Sequence, residues 1–296
     1  FFSDNTNGSQ IIATMVVSFL SVLSGLFGWV YTICWSASFY PQPILNAHRK
    51  STSGTTIDFP LINCLGFFAY LVSNLAFYYS PVIRAQYAAR HDGHAPAVAF
   101  NDVVFALHAL VLSLLTTSQY LLPSLWRFAP SAGNRPSRFI LGTAFGCIVG
   151  VLAVMVLIAA SVPEEGGAVE PRVDWCWLDA VYAVGYVKLW ITLIKYTPQV
   201  VANYRNKSTV GWSIWQILLD FAGGVLSIAQ LLIDSSMQGD WSGVTGNPVK
   251  FALGQVSMIY DLVFFTQHYV LYRGFDDKRG ERAALLENGE AHGRID

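Results

Sequence analysis

The sequence predicts an all-α integral membrane protein, with seven transmembrane helices arranged as two parallel three-helix repeats joined by a linker helix. Three observations carry this. Hydrophobic residues make up 53% of the 296-residue chain and charged residues only 12%, with a mean hydropathy of +0.43. Soluble domains carry about 25% charge, so this chain lacks the polar surface to face water all round. The apolar residues gather in stretches close to the roughly 20 residues a helix needs to cross a bilayer. Finally, one part of the chain repeats in another. The net charge of −1, with no basic stripe, sets nucleic-acid binding aside.

In chain order, residues 1–11 form an N-terminal segment and 12–122 a first repeat with spans Ile12–Phe39, Phe59–Tyr79 and Val103–Leu122. The first of these is long enough to tilt or overhang. Residues 139–162 are the linker span, Phe139–Val162. Residues 176–272 hold Cys176–Tyr196, Ile214–Ile233 and Val249–Tyr272, and 273–296 are a C-terminal tail. The chain opens on Phe1 rather than Met, so further sequence upstream is expected.

Lys and Arg set the orientation. The loops after spans one, three and five carry Arg49, Lys50, Arg127, Arg135, Arg138, Arg205 and Lys207. The loops after spans two, four and six carry only Arg84, Arg90 and Arg172. The odd loops and the tail are therefore cytosolic, and the N-terminus faces the lumen or the outside. Asn7-Gly8-Ser9 is a glycosylation sequon on the side where it would be used, whereas Asn206-Lys207-Ser208 falls in a cytosolic loop. Cys34, Cys64, Cys147 and Cys176 show no metal or redox spacing and read as small buried hydrophobes.

A shift of 157 residues lays Pro41–Gly66 on Pro198–Gly223 with ten identities in 26 positions and no gap, among them Pro41/Pro198, Gln42/Gln199, Asn46/Asn203, Lys50/Lys207 and Gly54/Gly211. At a shift of 159, Asp102 falls on Asp261. Three spans plus a linker return the second unit in the same orientation, which makes the repeat parallel. The Pro-Gln pairs close spans one and five. Proline there kinks a helix and supplies a hinge, or simply ends it. The pair's recurrence at equivalent positions favours the hinge, at Pro41, Gln42, Pro198 and Gln199.

Ionisable groups inside a membrane are costly and seldom persist without a role. Five lie in or at the ends of the spans: Asp102, Lys188, Lys195, Asp220 and Asp261. Asp179 and Lys250 lie nearer an interface, where snorkelling accounts for them. Lys188, Thr192 and Lys195 share a helical face. The repeat places Tyr31, Trp35 and Ser38 on the matching face of span one, with Phe39 a turn beyond Trp35. Gln216 and Asp220 share a face of span six, where Asn63 is the partner of Asp220. This set suits a zwitterionic amino acid: lysines and amides for a carboxylate, Asp220 for an ammonium, and aromatics over the apolar body. Buried ion pairs that fix helix register are the competing reading. His108 reads as a packed histidine before a proton relay, His48 as solvated, and His91, His94 and His268 as interface residues. No enzyme motif is present.

Longer strings add a family resemblance. WSASFYPQ (Trp35–Gln42), DFPLINCLGF (Asp58–Phe67), NDVVFALH (Asn101–His108), KLWITLIKYTPQ (Lys188–Gln199), NKSTVGWSIWQILLDFAGG (Asn206–Gly224) and YDLVFFTQHYVLYR (Tyr260–Arg273) resemble the cystinosin family of PQ-loop, SWEET-like transporters. The resemblance implies proton-coupled export of L-cystine from a lysosomal or vacuolar lumen, with no cofactor beyond the proton as coupling ion. It implies a substrate site of Trp35, Phe39, Asn63, Lys188, Lys195, Gln216 and Asp220. Protonation would fall to Asp102, Asp220 and Asp261, and Lys250 aligns with a functional lysine. Gln216 departs from the family's asparagine, which puts the fit to substrate in question. The tyrosine-based tail signal is missing; an acidic dileucine pattern, Glu281 with Leu285 and Leu286, stands in its place as a sorting-adaptor site.

Two alternatives remain. Another PQ-loop transporter would carry sugars or cationic amino acids, but a sugar needs no intramembrane lysine and a cation would be repelled by two. A seven-helix receptor has no need of a 3+1+3 repeat and would carry a DRY-like motif where this chain reads YLLPSLWRF.

Overall fold

The computed structural model describes residues 4–93, 95, 96, 98, 100–129, 131, 134–161, 169–238 and 248–273; the side chains of 4–14, 16, 17, 101, 238 and 248–254 fall outside that description. The helices are α1 (Asp4–Ala37), α2 (Pro41–Arg49), α3 (Asp58–Tyr79), α4 (Pro81–Arg90), α5 (Phe100–Leu121), α6 (Pro123–Trp126), α7 (Arg138–Ala160), α8 (Trp177–Ile194), α9 (Thr197–Asn206), α10 (Ile214–Gln238) and α11 (Pro248–Phe265). A π-helical turn, Thr266–Leu271, follows α11.

Among the described residues, six helical segments are long and apolar enough to cross a membrane: 18–49, 58–79, 102–121, 138–160, 177–206 and 214–237. The protein is a multi-pass membrane protein. The seventh expected span maps to α11 and its π-helical turn. Two boundaries need correction. Spans one and five do not end at the Pro-Gln pairs; each runs on past a break into α2 or α9. Pro41 opens α2 and Pro198 sits in the first turn of α9, where a missing N–H costs no helical bond. The breaks are the residues before the prolines, 38–40 and 195–196. The stretch after span two, expected as a loop, forms α4, with Ser80 accepting from the Ile83 N–H and Pro81 at its first position.

The chain divides into two compact units, residues 1–41 with 213–266 and residues 42–212 with 267–296. In the first, α10 packs against α1 and against α11. Gly223 brings α10 close to α1: a Cβ there would stand 2.5 Å from the Trp35 ring. In the second unit α3 packs on α5 and α8, with α7 beside α8. Its core is Ile62, Ala69, Ile140, Val187 and Ile191. Gly66, the repeat partner of Gly223, plays the same part there, with a Cβ falling 3.0 Å from Ile191. Helix association in lipid depends on such close approach, because lipid leaves no hydrophobic drive between helices.

The second unit holds both Pro-Gln glutamines, and they are built alike. Gln42 Nε2 donates to Asn46 Oδ1 (2.9 Å), Asn46 Nδ2 to Gln119 Oε1 (2.9 Å), and Gln119 Nε2 to the Pro43 carbonyl (3.0 Å). The second repeat reproduces each link: Gln199 to Asn203 (2.8 Å), Asn203 to Gln267 (3.0 Å), and Gln267 to the Val200 carbonyl (3.0 Å). The glutamines also cross over. Gln42 donates to the Gly211 carbonyl at 2.9 Å and Gln199 to the Gly54 carbonyl at 3.3 Å. Lys50 and Lys207 end α2 and α9 with the same left-handed φ of 49°.

These amide chains make Gln119 equivalent to Gln267. Asp102 lies 17 residues before Gln119, whereas Asp261 lies six before Gln267. The expected equivalence of Asp102 and Asp261 therefore does not hold. Asp102 belongs to the first turn of α5, while Asp261 lies deep in α11.

Candidate functional site

The candidate residues fall into two sets, one in each unit. The first is a carboxylate set. Asp220, on α10, accepts a hydrogen bond from Ser257 Oγ on α11 at 2.7 Å. Its main-chain carbonyl accepts from the Trp35 indole N–H at 3.3 Å. Tyr31 meets Trp35 edge-on at a centroid distance of 4.9 Å. Gln216 is buried one turn before Asp220, and Asp261 is 0% exposed. Phe39 lies in the break after α1, half-buried. The i, i+4 reading of Gln216 and Asp220 thus coincides with a real face of α10, and the aromatic partner expected from span one reaches it.

The second is a lysine set. Lys188 Nζ lies 3.6 Å from the centroid of the Phe67 ring. Lys195 Nζ lies 4.5 Å from the Tyr196 ring and 5.9 Å from Phe59. Phe59 and Tyr196 stack at 5.0 Å, and Trp212 closes on Phe59 at 5.4 Å. An ammonium over an aromatic face is attracted by the ring quadrupole, worth about 0.5–2 kcal/mol. Thr192, between the lysines, bonds back to the Lys188 carbonyl at 2.9 Å. Lys195 is not within α8 but is the residue that ends it. Asn63 is 2% exposed, and its Oδ1 is buried without a hydrogen-bond partner. Leaving such an acceptor unmade costs about 1–3 kcal/mol, a cost a ligand donor would relieve. Asp102 lends its carbonyl to Asn74 Nδ2 at 3.4 Å.

Several partners carry no signal in the sequence. Ser257, Phe59 and Phe67 are ordinary residues in apolar runs, and nothing local marks them; only packing brings them to Asp220 and the lysines. Asp234 does carry a signal, since it follows Asp220 by two heptads on one face of α10, one residue past the expected end of span six at Ile233. His268 Nδ1 pairs with Thr209 Oγ1 at 2.7 Å. His91 pairs with the Tyr182 hydroxyl at 2.9 Å. Asn7 has helical backbone, but its side chain, like that of Lys250, lies outside the described residues. So do Glu281, Leu285 and Leu286.

Away from both sets, Arg90 ties the end of α4 to the start of α8. It donates to both oxygens of Asp179, to the Pro171 and Asp174 carbonyls and to the Cys176 sulfur. Bonding to Asp179 holds the Arg90 guanidinium above its ordinary range, and burial pushes the Cys176 thiol up.

Known proteins place this arrangement. The PQ loop repeat model matches residues 23–83 and 180–240, the same 157-residue offset that relates Gln42 and Asn46 to Gln199 and Asn203. Cystinosin of Drosophila melanogaster is 43% identical over 248 residues, which is 84% of this chain and 58% of that protein. The chain thus spans little more than half of that relative. The cystinosin homolog of Dictyostelium discoideum is 38% identical over 260 residues, covering 87% of this chain and 84% of the relative. A cystine transporter of Saccharomyces cerevisiae is 28% identical over 261 residues, with 86% and 96% covered. On the sequence repeat, the mirrored glutamine chains and these matches along most of its length, the chain belongs to the cystinosin family of PQ-loop repeat proteins.

Proposed function

We propose that this protein is a transporter, not an enzyme, and that it exports L-cystine from a lysosomal or vacuolar lumen to the cytosol in step with protons. The observation that carries this is the pair of ammonium groups, Lys188 and Lys195, seated on aromatic rings along one stretch of helix in a member of this family. Each end of cystine bears a carboxylate and an ammonium. The lysines suit the carboxylates, Asn63 Oδ1 accepts from a donor, and Asp220 suits an ammonium. Gln216 and Trp35 line the Asp220 face, and Phe39 adds apolar surface. Asp220 also takes the coupled proton, with Asp261 and Asp102 as further acceptors.

The arrangement is seven spans as 3+1+3, with the N-terminus luminal and the tail cytosolic, supported by the Lys and Arg asymmetry of the loops. The breaks before Pro41–Gln42 and Pro198–Gln199 are where spans one and five bend during alternating access. Asn7 is the glycosylated residue. The Glu281, Leu285, Leu286 pattern engages sorting adaptors; its Leu285→Ala/Leu286→Ala variant should move to the plasma membrane, and unchanged localisation would dismiss the signal. The central experiment is flux of labelled cystine into proteoliposomes, against arginine, lysine and glucose, with and without a proton gradient. Cystine uptake stimulated by acid on the luminal face is the expected result. Preference for any of the other three, or uptake indifferent to the gradient, would overturn the reading.

A further inference from the structure

We propose that Asp234 is a second proton-loading carboxylate, placed at the luminal end of a polar seam whose other end is Asp220. The inference rests on the proton-coupled reading above. On α10, Gln216, Asp220, Gly223, Ser227, Gln230 and Asp234 follow one another at spacings of three or four, so they share one face. At 1.5 Å per residue the two carboxylates are ~21 Å apart along the axis.

That face is the one packed on α1, and polar contacts mark it from end to end. Ser24 Oγ donates to Asp234 Oδ1 at 2.5 Å. The Gln230 amide lies against Gly28, 3.0 Å from where a Cβ would stand. The Trp35 indole lies against Gly223 and donates to the Asp220 carbonyl. On α1, Ser24, Gly28 and Trp35 keep the matching helical spacing. Both helices are otherwise apolar enough to span a membrane.

Helix pairing alone does not account for this. Small residues and van der Waals contact suffice to pair apolar helices, and a hydroxyl bond returns less than an intramembrane carboxylate costs. Asp234 lies four residues before the end of α10, close enough to the aqueous edge to exchange protons with it. Ser24 holds the carboxylate in the seam, and Ser227 and Gln230 supply polar groups that can order water between the two acids. Of the helices packed against α10, the titratable side chains among the described residues are Tyr31 and Cys34 on α1 and Tyr260 and Asp261 on α11, all toward the Asp220 end. Ser24 is what meets Asp234. A proton taken from luminal water by Asp234 then passes along the seam to Asp220.

The test is cystine-evoked current in proteoliposomes, titrated by luminal-side pH with the other side held at pH 7. Asp234→Asn should keep at least half of the wild-type current at saturating acid, while the pH of half-maximal current moves acid by about one unit, a tenfold rise in the proton concentration required. Asp234→Glu should restore the profile, Ser24→Ala should move it part of the way, and cystine affinity at fixed pH should change less than twofold. An Asp234→Asn profile that overlays the wild type would overturn the proposal. So would current scaled down equally at every pH alongside a lower melting temperature, which marks a structural role. A wild-type current indifferent to the gradient would instead sink the proton-coupled reading itself, before any variant is compared.

Discussion

Replacing Gly54 by alanine tests the crossing of the two Pro-Gln loops. Gly54 has φ +91°, and a Cβ on it would fall 1.9 Å from the Val210 carbonyl oxygen; Gly211 mirrors it at φ +99°, with a Cβ 2.3 Å from the Ser53 carbonyl oxygen. Backbone atoms on both sides cannot rotate away as a side-chain tip would. The left-handed conformation costs a non-glycine residue about 1–3 kcal/mol. Relieving the clash must also part the loops, losing the Gln42–Gly211 and Gln199–Gly54 bonds at about 0.5–1.5 kcal/mol each. The sum is about 2–6 kcal/mol. At about 2–4 °C per kcal/mol, the melting temperature should fall by roughly 4–24 °C. Two controls separate the contributions. Gly93 has φ +87° with nothing within 4 Å, so Gly93→Ala carries only the backbone strain. Gly142, helical and in open space, should tolerate alanine or gain slightly from it. Thermal unfolding of the three purified variants in one detergent gives the ranking. If Gly54→Ala melts no lower than Gly93→Ala, the loops do not cross as described.

Lys195→Ala should abolish cystine binding while melting within a few degrees of wild type; binding as tight as wild type would remove the lysine set from substrate recognition. Asp220→Asn should still bind cystine but lose acid-stimulated transport, and a current of normal size and pH dependence would leave Asp102 and Asp261 as the coupling residues. Asn46→Ala and Asn203→Ala each strand buried glutamine groups in equivalent chains, at about 1–3 kcal/mol per orphaned group. Their losses of stability should match, and a difference of several kcal/mol would break the equivalence. Because burial raises the Cys176 thiol, its alkylation in the folded protein should be slow at pH 7 and accelerate only well above the ordinary thiol range. Mass spectrometry that found it labelled as fast as in the unfolded chain would contradict the burial.

Hydrophobicity and periodicity alone determined the membrane class, most of the spans, the repeat and one face of each substrate-set helix, because these depend on local composition and on spacing along a helix. The lysine stripe and the Gln216–Asp220 pair were legible for that reason. What tertiary structure decided is everything set by approach between distant segments. The Pro-Gln pairs looked like the ends of spans; only the structure shows helix resuming after each, since a proline is equally at home just after one helix and at the start of the next. The apparent match of Asp102 with Asp261 was a similarity of letters, and the amide chains correct it, because side-chain hydrogen bonds register helices in space rather than in sequence. Phe67 beneath Lys188 and Ser257 beside Asp220 could not be foreseen, since nothing in a residue's neighbours states what will pack against it. Nor could the crossing of Gln42 to Gly211 and Gln199 to Gly54. There, two glycines matched by sequence become indispensable only once the loops meet and no Cβ fits between them.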